Sequence, residues 1–406
     1  MRDDAHRLRR SLTLPLAVLY GLGVTIGAGI YVLIGATAAR AGLYAPAAFV
    51  LAALVMAPAA CAFAELAGRL PVSAGEAAYV RAGFRSGTLS LIVGLMVVAA
   101  GSVSAATVSV GSAGYIRDFI DLPDTTIIVV VVLVMGAVAG WGIVQSVTFA
   151  ALFTLIEIAG LVLIVWSGAV EHPELPGRLP ELVPATLDAN VWAGILGAGL
   201  ISFFAFIGFE DLVNIAEEVK RPQRTLPWAI FWTLALTTLV YVLVVAVAVL
   251  AVPLDELAAS RAPLSLVFAR VTGLSPAAIS AIAIVATLNG VIVQIIMGSR
   301  VIYGLADQGS LPAALGRVSP LTRTPLIATG LVVLVILALA LALPLESLAE
   351  TTSRITLTIF ALVCAALVKL KLEGVPPPET AFVVPLWVPL LGIFTCTGFL
   401  LTDLLG

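Results

Sequence analysis

Charge is what this sequence has least of. Only 11% of its 406 residues are charged, against about 25% in a soluble domain. Histidine is nearly absent: His6 and His172 both fall outside the apolar stretches, which excludes a histidine-based metal site within a bilayer. The three cysteines, Cys61, Cys364 and Cys396, are widely spaced in apolar surroundings. They read as small buried hydrophobes, not as a metal motif or a disulfide framework. A net charge of −3 without a polybasic tract argues against nucleic acid as a partner. What fills the chain is apolar: 61% hydrophobic residues and a mean hydropathy of +1.14. No water-soluble fold hides that much apolar surface. The composition therefore specifies an all-α polytopic membrane protein whose solvent is lipid.

A helix needs about 20 apolar residues to cross a bilayer. Eleven stretches qualify: Pro15–Ala38, Ala45–Ala67, Leu89–Tyr115, Thr126–Trp141, Thr148–Trp166, Val191–Ala216, Pro227–Leu250, Ala277–Ile302, Pro325–Leu343, Thr351–Val368 and Val383–Leu404. The division between the fourth and fifth, at Gly140 to Val147, is the softest boundary. The first stretch is too long for a signal peptide and lacks a cleavage site. Fifteen of the 21 Lys and Arg fall on the side that carries the N-terminus, which predicts a cytoplasmic N-terminus and, after eleven spans, an external C-terminus.

Two of these spans are interrupted. The first carries Gly21, Gly23, Gly27 and Gly29 at mid-membrane depth, in Gly21-Leu22-Gly23-Val24-Thr25-Ile26-Gly27-Ala28-Gly29. The sixth reads Phe203-Phe204-Ala205-Phe206-Ile207-Gly208-Phe209-Glu210-Asp211, with one glycine and two acids before the apolar run ends. A helix broken in lipid exposes N–H groups on one half and C=O groups on the other. Such backbone survives only against protein or a water-filled cavity. A carboxylate suits the N–H groups at Gly27, Ala28 and Gly29. An ammonium suits carbonyls at Thr25, Ile26, Ala205 and Phe206. Glycines packed as small-xxx-small notches would explain the first span alone. Two interruptions five spans apart, on oppositely running segments, point to an inverted-repeat transporter with a midplane site.

These motifs resemble the amino acid–polyamine–organocation permease superfamily. The likeness rests on Gly23-x-x-Ile26-Gly27-x-Gly29-Ile30. It rests equally on Phe203 to Glu210 followed by Ala216-Glu217-Glu218-Val219-Lys220-Arg221-Pro222. Pro71-x-Ser73-Ala74-Gly75-Glu76-Ala77-Ala78-Tyr79 and Arg300-Val301-Ile302-Tyr303-Gly304-Leu305-Ala306-Asp307 add to it in the same order. The resemblance implies a leucine-transporter-like five-plus-five inverted repeat, with helices 1–5 in residues 12–170, helices 6–10 in 190–370 and an eleventh in 382–405. Members commonly have twelve spans; this sequence supplies eleven. The resemblance further implies that the glycine turn holds a substrate carboxylate and that Phe204 closes over the substrate. Proton-coupled relatives often carry a lysine in the fifth span, where this sequence has Glu157.

Glu157 lies deep in that span, in Phe153-Thr154-Leu155-Ile156-Glu157-Ile158. A charge there costs about 2.5–3.5 kcal/mol on insertion scales, so it is the candidate for proton or cation coupling. A structural role, with the acid protonated on a backbone carbonyl, is the alternative. Glu210 is a possible second acid, although acids at that place also cap a half-helix. Glu65 is expected at the inner interface, paired with Arg69 one turn on. Glu217, Glu218, Lys220, Arg221 and Arg224, and Arg300 with Asp307, are candidates for inner-gate pairs or solvated loops. Ser102, Ser104, Thr107, Ser109, Thr287, Asn289 and Gln294 are polar candidates in spans three and eight, though such hydroxyls mostly bond their own backbone.

No Arg or Lys lies mid-membrane, so an acidic substrate side chain lacks a partner. The expectation is import of a neutral L-amino acid through the cell (inner) membrane. A cationic amino acid or polyamine is the alternative, with Glu157 or Glu210 as counter-charge. No cofactor is implied; a proton or sodium gradient drives the cycle. An enzyme would need a nucleophile–base pair or metal ligands in the bilayer, and the spans carry neither. A transporter-fold sensor, or a transporter working with an accessory subunit, remains the rival within the same fold. The sequence identifies no such subunit, and lipid is the one partner its surface demands.

Overall fold

The computed structural model describes residues 12–71, 75–141, 147–186, 188–216, 218–307 and 309–405. The soft Gly140–Val147 boundary, Ser73, Ala74 and Glu217 fall wholly or partly outside them. The described residues are almost entirely helical. The first span is divided into α1 (Leu14–Ile26) and α2 (Ala28–Ala41). Then follow α3 (Ala45–Arg69), α4 (Gly75–Phe84), α5 (Gly87–Ile116), α6 (Asp124–Trp141) and α7 (Val147–Glu171). The second half begins after a single turn, α8 (Leu175–Arg178), with α9 (Ala189–Phe206) and α10 (Pro222–Ala251). Two short helices, α11 (Leu254–Ala259) and α12 (Pro263–Thr272), lead to α13 (Ala277–Asp307), α14 (Leu326–Ala342), α15 (Leu345–Leu372) and α16 (Trp387–Leu405).

Eight stretches among the described residues are long and apolar enough to cross a bilayer, the first of them joining α2 and α3, while α1, α12, α14 and α16 are shorter apolar helices. All eleven expected spans thus have a helix. Several boundaries moved: the fifth span ends at Glu171 instead of Trp166, the seventh starts at Pro222 instead of Pro227, the eighth runs on from Ile302 to Asp307, the tenth covers Leu345–Leu372 instead of Thr351–Val368, and the eleventh starts at Trp387 instead of Val383. Residues 375–386 are irregular because Pro376, Pro377, Pro378 and Pro385 deny the backbone its donors. The inner part of the sixth span is a further correction. Instead of a second α-helix it forms a 3-10 turn, Phe209–Ile215. Beyond it, Val219 bridges to Leu12 at the foot of α1.

Local chemistry sets several ends. Ser86 accepts from the Leu89 N–H at 3.2 Å to start α5, and Asp188 accepts from the Asn190 N–H at 2.9 Å to start α9. Aromatic rings fill the centre. Phe63 meets Tyr79, Phe209 and Phe360 edge-on, and Phe49 joins Phe206 and Tyr241. Leu54, Trp166, Leu334 and Phe394 point outward, the arrangement lipid requires. Cys364 and Cys396 are buried and all three thiols are free. Cys364 takes the space a side chain at Gly392 would need, which seats α16 against α15.

At the Leu12 end, Glu65 is fully buried and pairs with Arg69 as expected. Its carboxylate pairs with Arg69 at 2.7 Å and Lys371 at 2.7 Å and accepts the Val384 N–H at 2.8 Å. That hub ties α3 to α15 and to the segment before α16. At the opposite end Arg40 pairs with Glu350 and, at 3.7 Å, with Glu346, and donates to the Gly197 carbonyl. One guanidinium therefore joins α2, α9 and α15.

Candidate functional site

The glycines of the first span each serve a different neighbour. A Cβ at Gly21 would strike the Thr233 hydroxyl of α10, and one at Gly23 the Thr154 hydroxyl of α7. At Gly29 it would lie 2.7 Å from the Ala205 Cα at the end of α9. Gly27 is the break itself: α1 ends at Ile26 and α2 begins at Ala28. The sixth span breaks at Ile207 and Gly208. Gly208 has φ +130°, a region that favours glycine, and a Cβ there would stand 2.9 Å from the Val24 carbonyl carbon and oxygen. The two discontinuities thus cross each other at Gly29–Ala205 and at Gly208–Val24.

A cavity opens beside the first break. Gly27 and Ala28 line it, facing Asn289, Gly290 and Gln294 of α13 and Thr154 of α7. The first turn of α2 leaves backbone N–H groups without helical acceptors, and the partly positive helix end favours an anion. A second cavity lies beside the sixth-span break. Ile207, Glu210 and Asp211 line it with Glu76 of α4, Ser104 of α5, Gln294 of α13 and Thr356 of α15. Gln294 is common to both cavities. Burial, with the charge of Asp211 adding to it, pushes the Glu76 carboxyl up to about 7.

The carbonyl side of both breaks differs from expectation. Tyr241 of α10 donates its hydroxyl to the Thr25 carbonyl at 2.8 Å and the Ala205 carbonyl at 2.9 Å. Those two carbonyls, read as ammonium partners, are already engaged by a side chain. Of the other expected site residues, Phe203 packs on Phe360 and Phe206 on Tyr241 and Phe49. Both are core rings and line neither cavity. Ile26 and Phe204 are buried and likewise line neither. Glu210 turns back locally: its carboxylate accepts the Gly208 N–H at 2.8 Å and caps the break.

Glu157 is completely buried, and neither carboxylate oxygen has a hydrogen-bond partner among the described residues. It lies one turn beyond Thr154, which is the α7 residue that lines the break cavity. The Tyr31 hydroxyl fixes the Glu157 backbone carbonyl at 2.9 Å, and Tyr115 in turn bonds the Tyr31 carbonyl. Tyr31, Tyr115 and Tyr241 escaped the sequence reading. Their signal was a phenol deep inside an apolar span, where a buried hydroxyl needs a partner. The hydroxyls of Ser102, Thr107, Ser109 and Thr287 bond carbonyls of their own helices as expected. Ser104 is the exception and faces the second cavity.

Comparison with known proteins identifies the family and the fold. The family model described as amino acid permease matches residues 12–402. The branched-chain amino acid permease BcaP of Bacillus subtilis is 29% identical, over 98% of this chain and 92% of its own length. The vacuolar cationic amino acid transporter 4 of Arabidopsis thaliana is 29% identical over 92% of this chain, which spans 65% of that longer relative. Among solved structures, a manganese transporter mutant from Eremococcus coleocola superposes with a TM-score of 0.65 at 13% identity. It covers 96% of this chain and 86% of its own, a likeness of fold, and that fold is leucine-transporter-like. The chain is a multi-pass membrane transporter and not an enzyme.

Proposed function

We propose a function from one premise: this chain belongs to the amino acid permease family. It is a secondary active permease that imports an α-amino acid by alternating access. The observation that carries this reading is the crossing of two broken helices beside a cavity that the N-terminal turn of α2 faces. The substrate carboxylate sits on the amide groups at Gly27, Ala28 and Gly29. Its ammonium lies on the carbonyl side of the breaks, where Tyr241 already occupies the Thr25 and Ala205 carbonyls. Residues 12–170 and 190–370 act as the two inverted halves, with 382–405 added outside them. The Leu12 end is cytoplasmic, in the cell membrane (the inner one where there are two), and the Arg40 contacts close the outer end.

The break cavity suits a neutral side chain: Val24, Ala28 and Val293 give it apolar walls, and no charged residue among the described residues lines it. The name of the Bacillus relative fits that class. A cationic amino acid or polyamine is the second reading, favoured by Glu210 and Asp211 beside the sixth-span break. Glu157 carries the coupling proton, since a buried carboxylate without a partner is stable in lipid only when neutral.

Uptake into liposomes of purified protein tests both parts. An imposed inward proton gradient should drive accumulation of a neutral amino acid. Glu157→Gln should abolish accumulation and leave exchange intact. Gradient-driven accumulation persisting in that variant would remove Glu157 from the coupling step. No uptake or exchange of any amino acid would remove the permease reading itself.

A further inference from the structure

Away from the breaks, α6 and α14 part on the outer surface and leave an open groove. The two helices meet at Gly136, where an added Cβ would stand 2.6 Å from a Val333 methyl. At Gly330 nothing lies within 4 Å of one. Leu133, Leu326 and Val333 give the groove apolar walls. Its hydroxyls are already satisfied: Thr329 donates to the Pro325 carbonyl at 3.1 Å, and Thr322 shares a hydrogen bond with Thr324 at 2.7 Å. A polar ligand would find no open partner along it, so the groove suits hydrocarbon. One end is built differently. Thr324 donates to the Gly140 carbonyl at 2.7 Å and pins the loop before α14 to the end of α6. The loop closes on itself, because the Ser319 N–H donates to the Thr324 carbonyl and the Arg323 N–H to the Ser319 carbonyl, both at 2.9 Å. Arg323 is thereby held at φ +56°, uncommon for a residue with a side chain. Leu321 of this loop is 91% exposed, and Trp141 at the end of α6 is 77% exposed. A bare leucine and tryptophan beside exposed arginines mark the level of a membrane interface. Arg317 and Arg323 are both exposed, and neither guanidinium has an acid partner among the described residues.

We propose that this groove seats an acyl chain of an anionic phospholipid whose phosphate is held by Arg317 and Arg323, a lipid site separate from both break cavities. An apolar channel that ends in positive charge is complementary to an amphiphile with a negative head. The charge selects the head. A zwitterionic lipid fills the same groove but brings its own cation to two arginines that have no acid, whereas an anionic one brings net negative charge to them. Guanidinium forks also match phosphate oxygens in pairs. The closed loop fixes the Arg323 backbone in advance, so little ordering is lost on binding. A protein partner would have to carry acids to the level of this loop, while a bilayer presents phosphate there everywhere. The chain completes the packing that Gly330 leaves open between α6 and α14. Because α14 packs on α13, which brings Asn289 and Gln294 to the break cavity, the bound lipid braces an element of the site from outside. The inference holds whatever amino acid the permease carries.

Native mass spectrometry and thermal unfolding of the detergent-purified full chain test this. The probes are phosphatidylglycerol and phosphatidylcholine with identical acyl chains, offered in equal amounts, and inorganic phosphate. The wild type should retain phosphatidylglycerol in preference, and that lipid should raise Tm above the phosphatidylcholine value, because a ligand of the folded state stabilises it by mass action. The double variant Arg317→Gln with Arg323→Asn, the second chosen because asparagine tolerates the left-handed backbone, should weaken phosphatidylglycerol about tenfold or more and leave phosphatidylcholine unchanged. Gly330→Leu, which puts a side chain into the open groove, should lower phosphatidylglycerol retention while the protein stays folded. The proposal is overturned if the wild type retains the two lipids equally, if the preference survives the double variant, or if inorganic phosphate raises Tm as much as the lipid does. It is also overturned if Gly330→Leu turns a dimer into a monomer in light scattering, since the occupant is then a second copy of the chain.

Discussion

A single methyl group at Gly208 should disable the crossing on which the site depends. Gly208→Ala meets two obstacles. Its φ of +130° lies where L-residues rarely go, and even the nearest left-handed well costs about 1–2 kcal/mol. The added Cβ would stand 2.9 Å from the carbonyl carbon and oxygen of Val24, against about 3.5–4.0 Å for a comfortable contact. Both atoms are backbone, so no rotamer change relieves the clash; α1 must move away, at about 1–3 kcal/mol. Together the two effects amount to about 2–5 kcal/mol, enough to lower Tm by several degrees. Gly304→Ala is the matched control. It lies inside α13 with nothing within 4 Å of an added Cβ, and gains up to about 1 kcal/mol of helix propensity. Thermal unfolding and liposome uptake of the two variants decide the matter. Gly208→Ala with wild-type Tm and uptake would refute the close crossing of the two breaks.

Other perturbations test the surroundings of the site. Thr25, Thr233 and Thr237 bury hydroxyls with no partner among the described residues, and Thr233 stands against Gly21 where α10 meets α1; Thr237→Val, nearly the same shape, should raise Tm by the equivalent of about 1–3 kcal/mol, and a fall in Tm would contradict this. Glu76 titrates at about 7 when folded, against 4.5 for the ordinary carboxyl. The folded protein therefore keeps a proton that the unfolded chain releases, and its stability declines as pH rises through that interval, by about 3 kcal/mol in all. Unfolding measured between about pH 5 and 8 should show a slope in the wild type that Glu76→Gln removes; identical slopes would refute it. Glu65→Gln leaves Arg69 and Lys371 without their common carboxylate and should destabilise by about 3–5 kcal/mol, which unchanged Tm would disprove.

The spans and both breaks were legible because their signals are local. Apolar length announces a crossing helix, and glycine beside acid inside such a run announces an interruption. Element ends were less legible: α13 continues through Arg300 to Asp307 because helix propensity outlasts apolarity there. The 3-10 form of Phe209–Ile215 depends on Glu210 capping Gly208 and on the Leu12–Val219 bridge, the second a contact across some two hundred residues that no window reveals. Glu65 illustrates the same limit. Its i+4 partner Arg69 is visible in sequence, but Lys371 and the Val384 amide arrive from the far end of the chain. Span five shows how one turn matters: a charge deep in an apolar run singles out Glu157, whereas the three-dimensional crossing at Gly23 singles out Thr154 as the residue facing the break cavity.

The engagement of Tyr241 changes what the breaks ask of a substrate. A helix interrupted in lipid exposes two kinds of orphan group, and a zwitterion was expected to satisfy both. Here one phenol reaches a carbonyl from each broken span, so part of the negative end of each break is satisfied by the protein itself, whether or not substrate is present. The N–H turn of α2 gets no such side chain: a bulky group at Gly29 would collide with α9, and Gly27 and Ala28 open onto the cavity instead. The site is therefore asymmetric. Its unmet demand is for an anion at the start of α2, and a carboxylate meets that demand whatever side chain accompanies it. Under the proposed function, discrimination among amino acids then falls to the walls of the break cavity, apolar at Val24 and Val293.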